Sequence, residues 1–436
     1  MNKKLRNVLI FILCAAIFVG IFSLLTALVR PKYTLTNLPE GKLVGEYYDE
    51  KFDHDILFVG DCEVYENYSP VLLWQRFGIT SYIRGSAQQL IWQSYYLLEE
   101  MLEKETPTAV VYNVQAMQYN EPQEEAYNRL TLDGMKLSKH KIAAVNASVM
   151  RDENGKSTEE KISYYLPLLR YHARWSELND TDFDYLFTET PNISHNGFLM
   201  RSDIKPAGMQ ATVKEKTKSE LAFGDNSWKY LNMMADLCEE KGVALILVKA
   251  PALRPYWYPE WDEQIVQFAK ERKLTYINFI DYFGLDTSGN NVVYSPAGYT
   301  ANYIVDGWDV SETDMLSPSD MINFTTDTYD GGQHMNLSGA EKLTDVFGRL
   351  ITGIIDFPDH SNDKELAYDW LVKIERYEWM LKDQAKELAE KGWLQSYGAK
   401  RPEELPVISK TDITKTDIAE PTPTDISGSE ISSADK

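Results

Sequence analysis

Residues 8–29 form an uninterrupted run of 22 residues without a charged side chain. No other stretch limits the fold so tightly. A helix rising about 1.5 Å per residue carries such a run about 33 Å, enough to cross the ~30 Å hydrocarbon core of a bilayer. Lys3, Lys4 and Arg6 precede the run, and Arg30 and Lys32 follow it. Three basic side chains plus the amino terminus outweigh two, which predicts residues 1–7 inside and everything beyond Arg30 outside. A cleaved signal peptide is the competing reading. The run is longer than a signal core, no small-x-small site follows it, and Cys14 lacks the small residues of a lipoprotein cleavage box before it. An uncleaved anchor at 8–29 is therefore expected.

A chain of 436 residues has room for one large or two modest domains. Its formal net charge of -22 argues against nucleic acid as a partner, because phosphate binding needs a basic surface. It also disfavours attachment of the folded part to an anionic membrane surface. The three cysteines show neither a CxxC pair nor a Cys/His metal spacing, so no disulfide framework, metal centre or cofactor is expected. Cys238 lies in a helical pattern and reads as a small buried hydrophobe. The sequence leaves a Cys62–Cys238 bond open.

After a polar stalk at 30–54, short apolar runs alternate with helical patterns. Strands are expected at 56–59, 80–83, 109–112, 244–248 and 276–279. Helices are expected near 70–77, 88–104, 260–273 and 338–354. This alternation predicts an α/β fold, a three-layer sandwich whose parallel central sheet is covered on both faces. Residues 55–360 form that domain. Two insertions interrupt it: a helical one at about 120–223, with helical pieces at 124–147 and 158–178, and a Gly/Asn/Ser-rich one at about 284–324. The first is expected to cap the sheet's carboxyl edge. A charged helix or helix pair follows at 361–400. Residues 401–436 have the composition of a disordered tail.

Candidate chemistry gathers where strands end, the edge at which open parallel sheets bind ligands. The first strand runs into Gly60-Asp61-Cys62, which puts a thiol on a tight turn near a helix start. Positive potential there would favour its thiolate. Gly85 follows the second strand and lets a backbone N–H approach a ligand. Asn113 closes the third strand and offers an amide. Before the last helix comes Tyr329-Asp-Gly-Gly-Gln-His-Met-Asn-Leu-Ser338, where His334 sits near Asp330. A lone histidine is more often structural. This one has a carboxylate nearby and a capped helix behind it, with Ser338 as cap and Glu341 three residues on. A nucleophile, a base with an orienting acid, and oxyanion donors are the parts needed for acyl transfer. Lys249, Arg254, Trp257 and Trp261 follow the fourth strand. They are candidate contacts for an anionic polymer or a sugar ring, with internal packing as the plainer reading of the tryptophans.

In this order the pattern resembles the SGNH/GDSL hydrolase superfamily: Gly-Asp-Cys, then a glycine, an asparagine, and an Asp/His pair before the last helix. More narrowly it is similar to the membrane-anchored envelope branch that includes the D-alanine transfer protein of teichoic acids and alginate O-acetyltransferases. The similarity covers about residues 55–128 and 244–354. It implies an SGNH/flavodoxin-like sheet. Cys62 matches the nucleophilic serine, and His334 the general base oriented by Asp330. The Cys62 N–H, Gly85 and Asn113 match the oxyanion hole. The chain departs from the family twice. The nucleophile is cysteine, and three residues rather than two separate Asp330 from His334. Either the loop bulges at its glycines or Asp327 serves instead. The implied function is extracytoplasmic hydrolysis or transfer of O-acyl groups on a cell-envelope glycan or polymer, with a membrane partner supplying the acyl donor. A non-catalytic binding or scaffold module is the alternative.

Overall fold

The computed structural model describes residues 2–32, 40–150, 160–187, 192–207, 215–283, 285, 316–317 and 319–394. The expected tail at 401–436 and most of the second insertion lie outside these. Five strands form one all-parallel sheet: β1 (Ile56–Gly60), β2 (Ser81–Gly85), β3 (Ala109–Asn113), β4 (Ala244–Lys249) and β5 (Thr275–Asn278). The order across the sheet is β2-β1-β3-β4-β5, so the winding reverses between β1 and β3. In doubly wound sheets the crevice at that reversal is where ligands bind.

The strands read as unbroken apolar runs because both faces of a parallel sheet are covered. Ile56, Leu57, Phe58 and Val59 are all fully buried. Phe58 packs on Tyr68 and on Phe347 of the helix Leu337–Thr352. Its neighbours on β1 point to the other face. On that face Arg84, in register with Val59, reaches the Leu97 carbonyl of the helix Ile91–Met101. The helix Pro70–Phe77 shows how local sequence sets its ends. The Ser69 hydroxyl accepts from the Leu72 N–H, Pro70 opens the first turn, and Gly78 closes the last in a left-handed conformation.

Two expectations change, and a third, a helix or helix pair near the carboxyl end, narrows to one of its alternatives. Residues 42–49, assigned to a polar stalk, form a short helix (Lys42–Gly45) and a 3-10 turn (Glu46–Asp49). Leu43, Val44 and Tyr47 are buried there, so the segment belongs to the domain. The helix expected over 124–147 is two helices, Glu125–Leu132 and Lys139–Ser148, the second capped by Ser138. The C-terminal segment contains one 28-residue helix, Lys364–Lys391, packed on the domain: Trp370 stacks on Trp74 at 5.3 Å and Tyr377 donates to Glu341.

The first insertion also divides. Residues 192–207 cover the edge of the sheet: the Ile83 N–H of β2 donates to the Asn196 carbonyl, and the Leu199 N–H to the Tyr65 carbonyl. Residues 160–187 lie instead against the end of the apolar N-terminal helix Lys3–Val29.

Candidate active site

Gly60 ends β1 at φ +154°, and a Cβ there would meet the Val64 side chain at 2.5 Å. Only a glycine passes this point without displacing Val64. Asp61 then caps a four-residue helix, Cys62–Tyr65, accepting from the Glu63 N–H at 3.1 Å. Cys62 is its first residue and is partly exposed. The Cys62 N–H belongs to the first turn, whose donors have no partner within a helix.

His334 arrives from the far end of the chain. Its loop makes two left-handed turns, at Gly331 (φ +87°) and Gly332 (φ +97°). Asp330 closes that loop on itself. One carboxylate oxygen accepts from the Gln333 and His334 N–H groups, each at 3.0 Å, and the other from His334 Nδ1 at 2.7 Å. The extra residue in the Asp/His spacing is thus absorbed by the glycine turns. Asp327 is committed elsewhere, to Lys342 Nζ at 2.7 Å, the Ser338 hydroxyl and the Asn323 N–H. Ser338 was expected to cap the last helix; Asn336 does so, accepting from the Gly339 N–H. Two segments clamp the loop from outside. Leu253 N–H and Arg254 donate to the carbonyls of Gly332 and Gly331, and the backbone of Lys205 bonds both Thr328 and Gly331. Arg254 is spent in that clamp.

With Nδ1 held by Asp330, His334 presents Nε2. That nitrogen is buried and has no hydrogen-bond partner among the described residues. The Cys62 thiol and the ring lie close enough that each shifts the other's pKa. Chain segments 272 residues apart therefore meet beside the carboxyl end of β1. Gly85 lies against the same turn: a Cβ there would sit 3.0 Å from the Gly60 carbonyl and 3.4 Å from that of Asp61. Asn113 is also at this edge, but its NH2 donates to Glu63 at 2.9 Å and its carbonyl accepts from the Gln115 N–H.

Sequence reasoning missed several carboxylates and their partners. Glu66, one helical turn after Cys62, places Oε2 3.2 Å from His334 Nδ1 and accepts a hydrogen bond from the Tyr329 hydroxyl. The Arg201 guanidinium covers the Tyr329 ring at 4.3 Å. Beneath the turn, Glu63 pairs with Lys249 at 2.7 Å in full burial. The four-residue spacing from Cys62 to Glu66 was the one available signal, and it is common to any helical turn.

The expected substrate contacts are arranged differently. Lys249 is buried and committed to Glu63 and the Ala250 carbonyl. Trp257 and Trp261 are buried in an aromatic group with Phe223. Apolar burial claims both rings, so none of the three offers a surface to a ligand.

The electrostatics run against the expected thiolate. Burial, then the charge of Asp61, pushes the Cys62 thiol up to about 11, with His334 pulling the other way. A four-residue helix has too small a dipole to offset two nearby carboxylates. Burial opposes charge on His334, but Glu66, Asp330 and the thiol outweigh it and hold the imidazole at about 12. Asp330 is held below its usual range by His334 despite burial, and burial raises Glu66. Burial and Glu63 together lift Asp61 to about 7. At neutral pH the resting pair is thus a thiol beside an imidazolium. Cys238 is free and buried, and so is not bonded to Cys62. Compared with known proteins, the chain matches no family model, no curated protein and no solved structure.

Proposed function

We propose that this chain is a membrane-anchored SGNH/GDSL-like acyltransferase or esterase of the cell envelope, with Cys62 as nucleophile. The observation that carries the reading is the line Asp330–His334–Cys62, assembled from distant segments beside the crevice where the sheet reverses. The strand order supports a three-layer sandwich of that superfamily, the apolar helix at the amino end supports an anchor, and the excess of basic residues before that helix supports a domain outside. The substrate in this reading is an O-acyl group on an envelope glycan or polymer, delivered by a membrane partner.

The chemistry follows from the protonation state. An imidazolium cannot accept the thiol proton, so the productive form has lost one proton from the cluster. Sulfur then attacks the acyl carbonyl. The protonated ring donates from Nε2 to the leaving alkoxide, and a thioester remains on Cys62 for an acceptor hydroxyl or water. In this reading the Cys62 and Gly85 N–H groups serve as the oxyanion donors. A thioester can pass its acyl group to an acceptor hydroxyl or to water, so transfer and hydrolysis both follow from it.

The thiol's raised pKa favours a second reading, a non-catalytic polymer-binding module. Turnover separates the two. In mildly alkaline buffer, wild-type protein is expected to release p-nitrophenol from p-nitrophenyl acetate, and Cys62→Ala to show only the buffer rate. Equal rates would leave the binding module.

A further inference from the structure

We propose that residues 160–187 form a collar that lies in the membrane interface around the outer end of the apolar helix. Along Lys3–Val29, residues 3–21 are exposed, residues 25–28 are half-buried and Val29 is buried. The free uncharged part, residues 8–24, would rise about 26 Å, within about one helical turn of the ~30 Å thickness of bilayer hydrocarbon. Cover begins where hydrocarbon would end. The cover is the collar: Pro167–Tyr171, His172–Glu177 and Asp180–Asp184 all pack on the helix.

The joint between them is polar, as an interfacial joint must be. Arg174 donates to the Val29 carbonyl at 2.6 Å and pairs with Asp182 at 3.1 Å. Lys32 reaches the carbonyls of Ala27 and Leu28, and Arg30 that of Asp133. The last carbonyls of the helix are therefore met by cations, and the helix end is fixed to the domain.

Beyond this joint the collar is apolar and uncovered. Ile162, Leu169, Trp175, Phe183 and Phe187 are 39–85% exposed, Phe187 the most. No residue of His172–Glu177 is buried. Exposed apolar groups gathered in one short segment mark an interaction surface. Their continuity with the helix end selects the bilayer as the occupant, since aromatic rings concentrate at the headgroup level. Residues 160–187 carry three basic and five acidic side chains, so attraction to anionic lipid is not the driving term. A zwitterionic bilayer suffices.

The test uses full-length protein in phosphatidylcholine vesicles with the photo-cross-linker p-benzoylphenylalanine. It is placed singly at Phe18 in the helix, at Phe183 and Phe187 in the collar, and at Trp393 on the distant C-terminal segment. All four side chains are more than half exposed, so folding is not at stake. Lipid adducts at positions 18, 183 and 187 in comparable yield, with only background at 393, are expected. Lipid at 18 without lipid at 183 and 187 overturns the collar alone. Lipid at none overturns both collar and span, and cross-links from 183 or 187 to a second copy of the chain assign the surface to protein.

Discussion

Glu66 is the group through which the Cys62–His334 pair is most simply tested, because it acts on both members. It raises the pKa of His334, and its charge also disfavours the Cys62 thiolate. Iodoacetamide should therefore label Cys62 slowly at pH 7, with a rate climbing about tenfold per pH unit while the thiolate is the minor form. Glu66→Gln should speed labelling at pH 8 by roughly tenfold, one pKa unit, and His334→Ala should slow it. Unchanged rates in both variants would mean the ring and the carboxylate do not act on the sulfur. Lys249 makes a different kind of claim. Removing it by Lys249→Met leaves Glu63 buried without its cation, at a cost of about 3–5 kcal/mol in urea unfolding. The double change Glu63→Gln/Lys249→Met should lose less than the single one. The meeting of Asp330 with His334 near Cys62 was legible in the sequence, because a strand end and a Gly-rich loop before a helix both lead to the same edge of a parallel sheet. Glu66 and Glu63 were not, because a carboxylate on a helical pattern reads as solvated until burial is known, and Lys249 stood out as a substrate contact rather than as the cation of a buried pair.

At the scale of elements, all five strands and the helix Pro70–Phe77 were legible, because buried parallel strands are continuous apolar runs and Ser-Pro and Gly mark helix ends. Residues 42–49 were not, since Gly45 and the charges hide Leu43, Val44 and Tyr47, which become core only when the sheet and its flanking helices are there to cover them. The glycine loop is the element on which the site turns. At Gly332, with φ +97°, a Cβ would meet Leu253 Cδ1 at 2.8 Å. Gly332→Ala should lose about 1–2 kcal/mol of stability from the left-handed backbone. It should also slow Cys62 labelling to the level of His334→Ala, because His334 shifts with its loop. Full stability and wild-type labelling in this variant would show that the loop does not hold the ring by its backbone.

The whole molecule is a sheet whose carboxyl edge gathers a thiol from residue 62, a histidine from residue 334 and covering chain from 199–207, tied at one end to a long apolar helix. Strand order explains why the thiol falls beside the crevice, and the long C-terminal helix holds the covering segment in place through Gln384, bonded to Ser202 and Met200. Under the proposed function, that arrangement serves to form and discharge a thioester at Cys62. Intact-mass spectrometry of the full-length protein, quenched in acid after brief exposure to p-nitrophenyl acetate at alkaline pH, reads it directly. A single acetyl group on Cys62 is predicted, absent in Cys62→Ala and slower to form in His334→Ala. Absence of an adduct, or equal accumulation with and without the imidazole, would contradict a thioester mechanism.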